Sequence, residues 1–119
     1  MPHEPYHSIT PRIFVDDLDA TVAFLRSVFD AAGDVEPGRP AELRIGDSIV
    51  MLSEAGEERA AFPAFLYVYV DDADSTYQRA VDAGATTLEP PQDQFYGDRR
   101  AMVTDVAGNI FQIAHRLAS

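Results

Sequence analysis

The chain contains no cysteine and no lysine. The lack of cysteine excludes disulfides, thiolate zinc sites, iron–sulfur clusters and cysteine nucleophiles together. All 9 basic residues are Arg, set against 20 Asp and Glu, for a formal net charge of −11. A chain this acidic repels a phosphate backbone, so no nucleic-acid partner is expected. Long apolar stretches are missing too. The longest, Ala64 to Val70, is far short of a membrane span, and the opening MPHEPYHS has no apolar signal core. A soluble cytoplasmic protein without a membrane partner is expected. Neither G-x-S-x-G, a P-loop nor G-x-G-x-x-G occurs. What remains is 119 residues, 46% hydrophobic and 24% charged, the size and composition of one globular domain spanning 1–119.

The chain repeats itself. Ile13-Phe14-Val15-Asp16-Asp17-Leu18-Asp19-Ala20-Thr21 returns 55 residues later as Val68-Tyr69-Val70-Asp71-Asp72-Ala73-Asp74-Ser75-Thr76. Each copy is an apolar stretch, then an Asp pair, then helical periodicity. The Asp pairs suit helix starts, where a side-chain oxygen accepts from bare N–H groups and negative charge meets the dipole. Leu18, Val22, Leu25, Phe29 and Ala32 then recur at helical spacing, with Gly33 as the stop. In the second copy Ala73, Tyr77, Ala80 and Val81 precede Gly84. Short strands follow each helix. Ala41–Ile45 and Ser48–Ser53 flank Gly46-Asp47, while Arg100–Thr104 and Asn109–His115 flank Val106-Ala107-Gly108. Further strands near Asp34–Glu36 and Thr86–Glu89 would complete a β-α-β-β-β unit in each half, about residues 8–54 and 64–116. Pro90 to Asp98 reads as an irregular loop. Its Phe95 and Tyr96 have two readings, the border of a binding site or a cap on the core.

Three stretches carry a family resemblance: Ala41-Glu42-Leu43-Arg44-Ile45-Gly46-Asp47-Ser48, Gln94-Phe95-Tyr96-Gly97-Asp98-Arg99 and Asp105-Val106-Ala107-Gly108-Asn109. With the doubled unit they resemble the vicinal oxygen chelate superfamily of glyoxalases, bleomycin-resistance proteins and extradiol dioxygenases, in its glyoxalase-like subgroup. Val106 stands where that motif usually has Pro, and Leu25 where an aromatic usually follows Phe24. The resemblance implies an α+β fold, with two β-α-β-β-β units pairing into an open cup-shaped mixed sheet and the helices outside. It also implies a small-molecule ligand in the cup and a homodimer, side by side or with exchanged units.

Metal-dependent members of that family hold an ion with His, Glu or occasionally Gln, one donor on the first and one on the last strand of each unit. Position by position this gives Thr10, Met51, Phe65 and Gln112. Phe cannot ligate, Met is soft and Thr weak, so neither a metal nor another cofactor is expected. His3, His7 and His115 read as surface or strand-end residues.

Strand alternation adds Arg12 and Phe14 to Thr10, and Tyr67 and Tyr69 to Phe65, as cup lining. The expected ligand-binding set is Thr10, Arg12, Phe14, Met51, Phe65, Tyr67, Tyr69, Phe95, Tyr96, Arg99 and Gln112. Alternating aromatics equally suit an ordinary core, and Arg12, Arg44 and Arg99 equally suit plain salt bridges. Ligand charge stays open: the acidic surface suits a cation, Arg12 and Arg99 an anion. No catalytic residue is assigned, with Glu42 kept as a conceivable base. The leading expectation is a metal-free binder of an aromatic or amphipathic molecule, of the bleomycin-resistance, antibiotic-sequestering kind. The alternatives are a metal-dependent lyase, isomerase or dioxygenase with displaced ligands, and a scaffold module.

Overall fold

In the computed structural model, which describes residues 7–118, the chain runs β1 (Arg12–Val15), α1 (Leu18–Phe29), β2 (Ala41–Ile45), β3 (Ser48–Glu54), β4 (Phe65–Tyr69), α2 (Ala73–Asp82), β5 (Thr86–Asp93), β6 (Asp98–Thr104) and β7 (Ile110–Arg116). The first half forms a three-stranded sheet in the order β1-β3-β2 and the second a four-stranded sheet in the order β4-β7-β6-β5. In both, the strand before the helix lies parallel to the last strand of the unit, beside an antiparallel hairpin. The doubled unit and the α+β class are therefore as the residues suggest. Among the described residues no ladder joins the two sheets.

Two local expectations are corrected. Asp34–Glu36 forms no strand; the connection makes only an isolated bridge between Ala32 and Arg44. Two acidic residues followed by Pro37 are poor strand formers. Gly33 sits at φ 141°, where a Cβ would collide with the Glu42 carbonyl. Conversely, β5 runs straight through Pro90 and Pro91, leaving only Gln94 to Gly97 as a turn. The strand is at the sheet edge, where a missing N–H is tolerated, and its pairing shifts register between Glu89 and Gln92.

The helix starts behave as their Asp pairs require. The Asp17 carboxylate accepts from the Ala20 N–H at 3.0 Å, and that of Asp72 accepts from Asp74 and Ser75. α1 ends earlier than Gly33, because Asp30 takes the left-handed conformation at φ 54°. Asp tolerates that region better than most residues with a side chain. Joining the halves is a task for the helices. Phe24 and Phe29 of α1 pack on Phe111 of β7, with centroids 5.8 and 5.4 Å away. Arg79 of α2 donates from Nη2 and Nε to the Val28 carbonyl at 3.0 and 3.3 Å. That carbonyl is in the last turn of α1, where carbonyls lack partners and a cation suits the dipole. One apolar cluster, including Val15, Leu25, Leu52, Val103 and Phe111, runs through both halves.

A second anchor sets β4 in place. Buried Asp105 accepts from the backbone N–H groups of Ala107 and Asn109 and from the Asn109 side chain. Asn109 Oδ1 in turn accepts from the Ala64 N–H at 2.8 Å, one residue before β4. Replacing Asn109 with Ala leaves the buried Asp105 carboxylate and the part-buried Ala64 N–H short of a partner, which costs up to about 1–3 kcal/mol for a buried group left unsatisfied. Asn109→Ala is expected to lower the urea midpoint clearly with little change in slope; an unchanged midpoint would show that this anchor contributes nothing.

Candidate functional site

Alternation along β4 sends Leu66 and Val68 toward the helices and Phe65, Tyr67 and Tyr69 the other way. On that second face the three rings are 61%, 37% and 58% exposed. The ladder continues their rows across β7 and β6: Phe65–Ile110–Thr104, Tyr67–Gln112–Met102 and Tyr69–Ala114–Arg100, then Arg116–Asp98. This is an aromatic face laid on a strand whose reverse side is core.

Under its edge lies a fully buried carboxylate, Asp98. Tyr67 Oη donates to its Oδ2 at 2.6 Å, Tyr69 Oη to the same oxygen at 2.8 Å, and Arg116 Nη1 to Oδ1 at 2.9 Å. Tyr96 Oη lies 3.0 Å from Tyr67 Oη. Because the Tyr67 proton is already given to Asp98, Tyr96 must be the donor in that pair. Tyr96 Oη accepts from Arg100 Nη1 at 3.2 Å, and Arg100 is ion-paired to Glu89. The polarity therefore runs one way, from Arg100 through Tyr96 and Tyr67 to Asp98. The Nε of Arg100 is buried without a partner among the described residues.

These contacts explain the acidities. The Tyr67 hydroxyl, followed by Tyr69 and Arg116, holds the Asp98 carboxyl below its usual range against the opposing effect of burial. Burial first, then the bonds to Asp98 and Tyr96, pushes the Tyr67 phenol far above its ordinary value. The Tyr69 phenol rises chiefly through its bond to Asp98. Hydrogen bonds to an ionised partner favour a carboxylate at Asp98 and neutral phenols at Tyr67 and Tyr69.

The other expected residues fall in three places. Arg99 is on the helix side of the sheet, bridging Asp74 of α2 at 2.8 Å and Asp93 of β5 at 3.0 Å. It is a strut between elements rather than a handle on the aromatic face, and it holds the Asp74 carboxyl below its usual range. Phe95 is 99% exposed at the β5–β6 turn, edge-on to Tyr96 at 5.3 Å, so it caps no core. Thr10, Arg12, Phe14 and Met51 belong to the first sheet or its approach. There the Arg12 guanidinium sits 5.3 Å from the Phe14 ring centroid and donates to Ser53 Oγ at 3.3 Å. Arg12 has no carboxylate partner among the described residues; Glu42, one strand beyond Met51, does not pair with it. Asp98 is the residue the sequence reading passed over. The clue was two phenols two apart on one strand face, which need a shared partner on a neighbouring strand.

A divalent ion does not fit the positions that the family resemblance maps. Phe65 offers no donor, Met51 is soft and Thr10 a weak neutral ligand, which leaves Gln112 alone among the four. Among the described residues no group of three or more His, Asp or Glu could hold a metal. Two histidines have other roles. His7 Nε2 is 2.6 Å from the Asp47 carbonyl, and His115 Nδ1 accepts from the Ala73 N–H at the start of α2. His3 lies outside the described residues. A cleft of about 460 Å³ runs beside β4, lined by Pro11, Ile45, Val50, Leu66, Val68 and Tyr69 among others.

The raised phenol values fix a sign. A group whose folded value is raised stabilises the fold below its unfolded value, about 10 for Tyr, and that stabilisation is lost as pH rises through the folded value. Asp98 acts oppositely: its contribution is present above the unfolded carboxylate range, about 4, and is lost as pH falls through the folded value. An ultraviolet absorbance titration of the native protein should show Tyr67 and Tyr69 failing to ionise near 10, the value of a free tyrosine. In Asp98→Asn both should move back toward the normal range; five tyrosines titrating alike in the wild type would refute the network.

Comparison with known proteins agrees with this architecture. The family model for the Glyoxalase/Bleomycin resistance protein/Dioxygenase superfamily matches residues 7–113. An uncharacterized protein of Mycobacterium bovis is 31% identical, covering 86% of this chain and 78% of that protein. Among solved structures, TioX from Micromonospora sp. ML1 superposes with a TM-score of 0.79 at 27% identity, covering 93% of this chain and 99% of that one. A glyoxalase/bleomycin resistance protein/dioxygenase family enzyme from Burkholderia phytofirmans PsJN shares the fold, with a TM-score of 0.76 at 22% identity over 91% of this chain and 97% of that one. With nearly its whole length matched, the chain belongs to the Glyoxalase/Bleomycin resistance protein/Dioxygenase superfamily.

Proposed function

We propose that this protein is a small-molecule binder that holds an aromatic or amphipathic ligand on the face of Phe65, Tyr67 and Tyr69 without metal and without making or breaking a bond. In this reading residues 1–119 act as one domain, in the cytoplasm, as a homodimer whose second copy helps enclose the ligand, and sequestration of an aromatic antibiotic is the use it suits. One observation carries the reading: the rings are open to solvent while the tyrosine hydroxyls are tied to a buried carboxylate. Rings fixed in this way offer stacking area at little cost in lost rotamer freedom.

The same bonds argue against acid–base work on this face. Asp98 accepts three hydrogen bonds and its carboxyl lies below the usual range, which makes it a poor base. Tyr67 and Tyr69, with raised values, are poor acids. The first sheet contributes Thr10, Arg12, Phe14 and Met51 as a second wall, Phe95 and Tyr96 stand at the rim, and the sheet of a second copy is the natural means of bringing the walls together.

With no tryptophan in the chain, emission comes from five tyrosines, of which Tyr67, Tyr69 and Tyr96 belong to this face. A panel of aromatic antibiotics and metabolites should give saturable quenching, and Phe65→Ala should weaken it about 3- to 10-fold, the loss of one stacking contact. Sedimentation equilibrium should return twice the 13.1 kDa chain mass. No saturable binding across the panel, or undiminished binding by Phe65→Ala, would overturn the reading; a single-chain mass would remove its dimer.

A further inference from the structure

We infer that the ligand of this face is a planar molecule presenting an adjacent hydrogen-bond donor and acceptor along one edge, as a lactam or cyclic amide does, and that Gln112 reads that edge. The inference rests on the binding reading above and deepens it. Almost every polar group on these rows is already engaged. Tyr67 and Tyr69 donate to Asp98, Tyr96 bonds to Tyr67, Arg116 is paired with Asp98, and Arg100 with Glu89. Each charged side chain in the rows has an opposite charge beside it, so this sheet itself offers no unpaired countercharge; Arg12, which has no carboxylate partner among the described residues, stands on the other wall. Arg99, the cation expected to favour an anion here, is on the other side of the sheet.

Gln112 is different. Among the described residues its side chain makes no hydrogen bond, and its row places it between Tyr67 and Met102 in the middle of the face. The lean of the tyrosines leaves it accessible. Both reach toward Asp98, beyond the row of Ala114, and Ala114 is fully buried although it lies on the open side. Gln112, one row back, is only half-buried. The result is a partly exposed amide in the middle of the face, with Phe65 and Tyr67 on the β4 side and Met102 and Thr104 on the β6 side.

A carboxamide carries a carbonyl acceptor and two N–H donors in one plane. Its complement is another planar edge with donor and acceptor side by side. Side chains stand roughly perpendicular to a sheet, so a flat ligand entering edge-on can stack against an aromatic wall while its edge meets the amide. Such a site rejects an analogue lacking the donor, because the amide oxygen is then covered without a partner.

The test uses 2-quinolinone and N-methyl-2-quinolinone, which share the ring system and differ in the edge N–H, titrated by ligand-observed NMR and calorimetry. Wild type should bind 2-quinolinone about tenfold more tightly, a typical consequence of one unpaired group in a polar site. Gln112→Leu and Gln112→Met should abolish the preference while leaving the N-methyl compound bound within about twofold, since stacking persists. Equal affinity of the two probes for wild type, or a preference that survives in both variants, overturns the role of Gln112 and leaves the aromatic face standing. Failure of wild type to bind either probe overturns both.

Discussion

A carboxylate removed completely from water has to be compensated, and the second half of this protein is arranged around that requirement at Asp98. The donors come from two strands, Tyr67 and Tyr69 on β4 and Arg116 on β7, and meet the first residue of β6. The contact therefore braces the parallel β4–β7 pair against the β6–β7 hairpin from the side opposite the core. It also sets the local backbone. Gly97, just before Asp98, has φ 97°, and a Cβ there would lie 3.4 Å from the Arg116 guanidinium. A side chain at 97 would both strain the turn and press on the cation that neutralises Asp98. The functional consequence is that the phenols face inward with their oxygens and outward with their rings.

The repeat shows what this arrangement adds. With an offset of 55 residues, Thr10, Arg12 and Phe14 stand where the second unit has Phe65, Tyr67 and Tyr69. Among the described residues no carboxylate gathers these side chains in the first unit. Arg12 rests over Phe14 and leans on Ser53, and the Phe14 carbonyl accepts from the Phe62 N–H as the chain returns toward β4. The same strand position has become a lone cation over one ring in the first sheet and a braced aromatic surface in the second. A ligand bordered by both walls would meet stacking and amide edges on one side and a guanidinium on the other.

What the sequence disclosed was what is local. Alternation in β4, the Asp caps at 17 and 72, and the hairpins at Gly46 and Gly108 follow from period and side-chain reach over a few residues, and each is found where the residues imply it. What it withheld depends on contacts distant in the chain. Asp98 meets Tyr67 across 31 residues, and Arg99 finds Asp74 across 25. One step along a strand separates them, yet it decides that Asp98 supports the aromatic face and Arg99 braces a helix. Pro90 and Pro91 misled in the other direction: they resemble a loop because proline denies a donor, but an edge strand has N–H groups it does not use.

Two of the four positions that the family resemblance maps as metal donors lie on the aromatic face. Phe65 presents a ring that cannot ligate, and Gln112 a neutral amide on the row beside it. Asp98 is three rows from Phe65 and two from Gln112, so the buried anion touches neither position. What links them is Tyr67, whose hydroxyl is bound to Asp98 while its strand position shares a row with Gln112. A ring at 65 and an amide at 112 add no charge to the face that this network braces, and they give it two different means of recognition, one by shape and the other by direction.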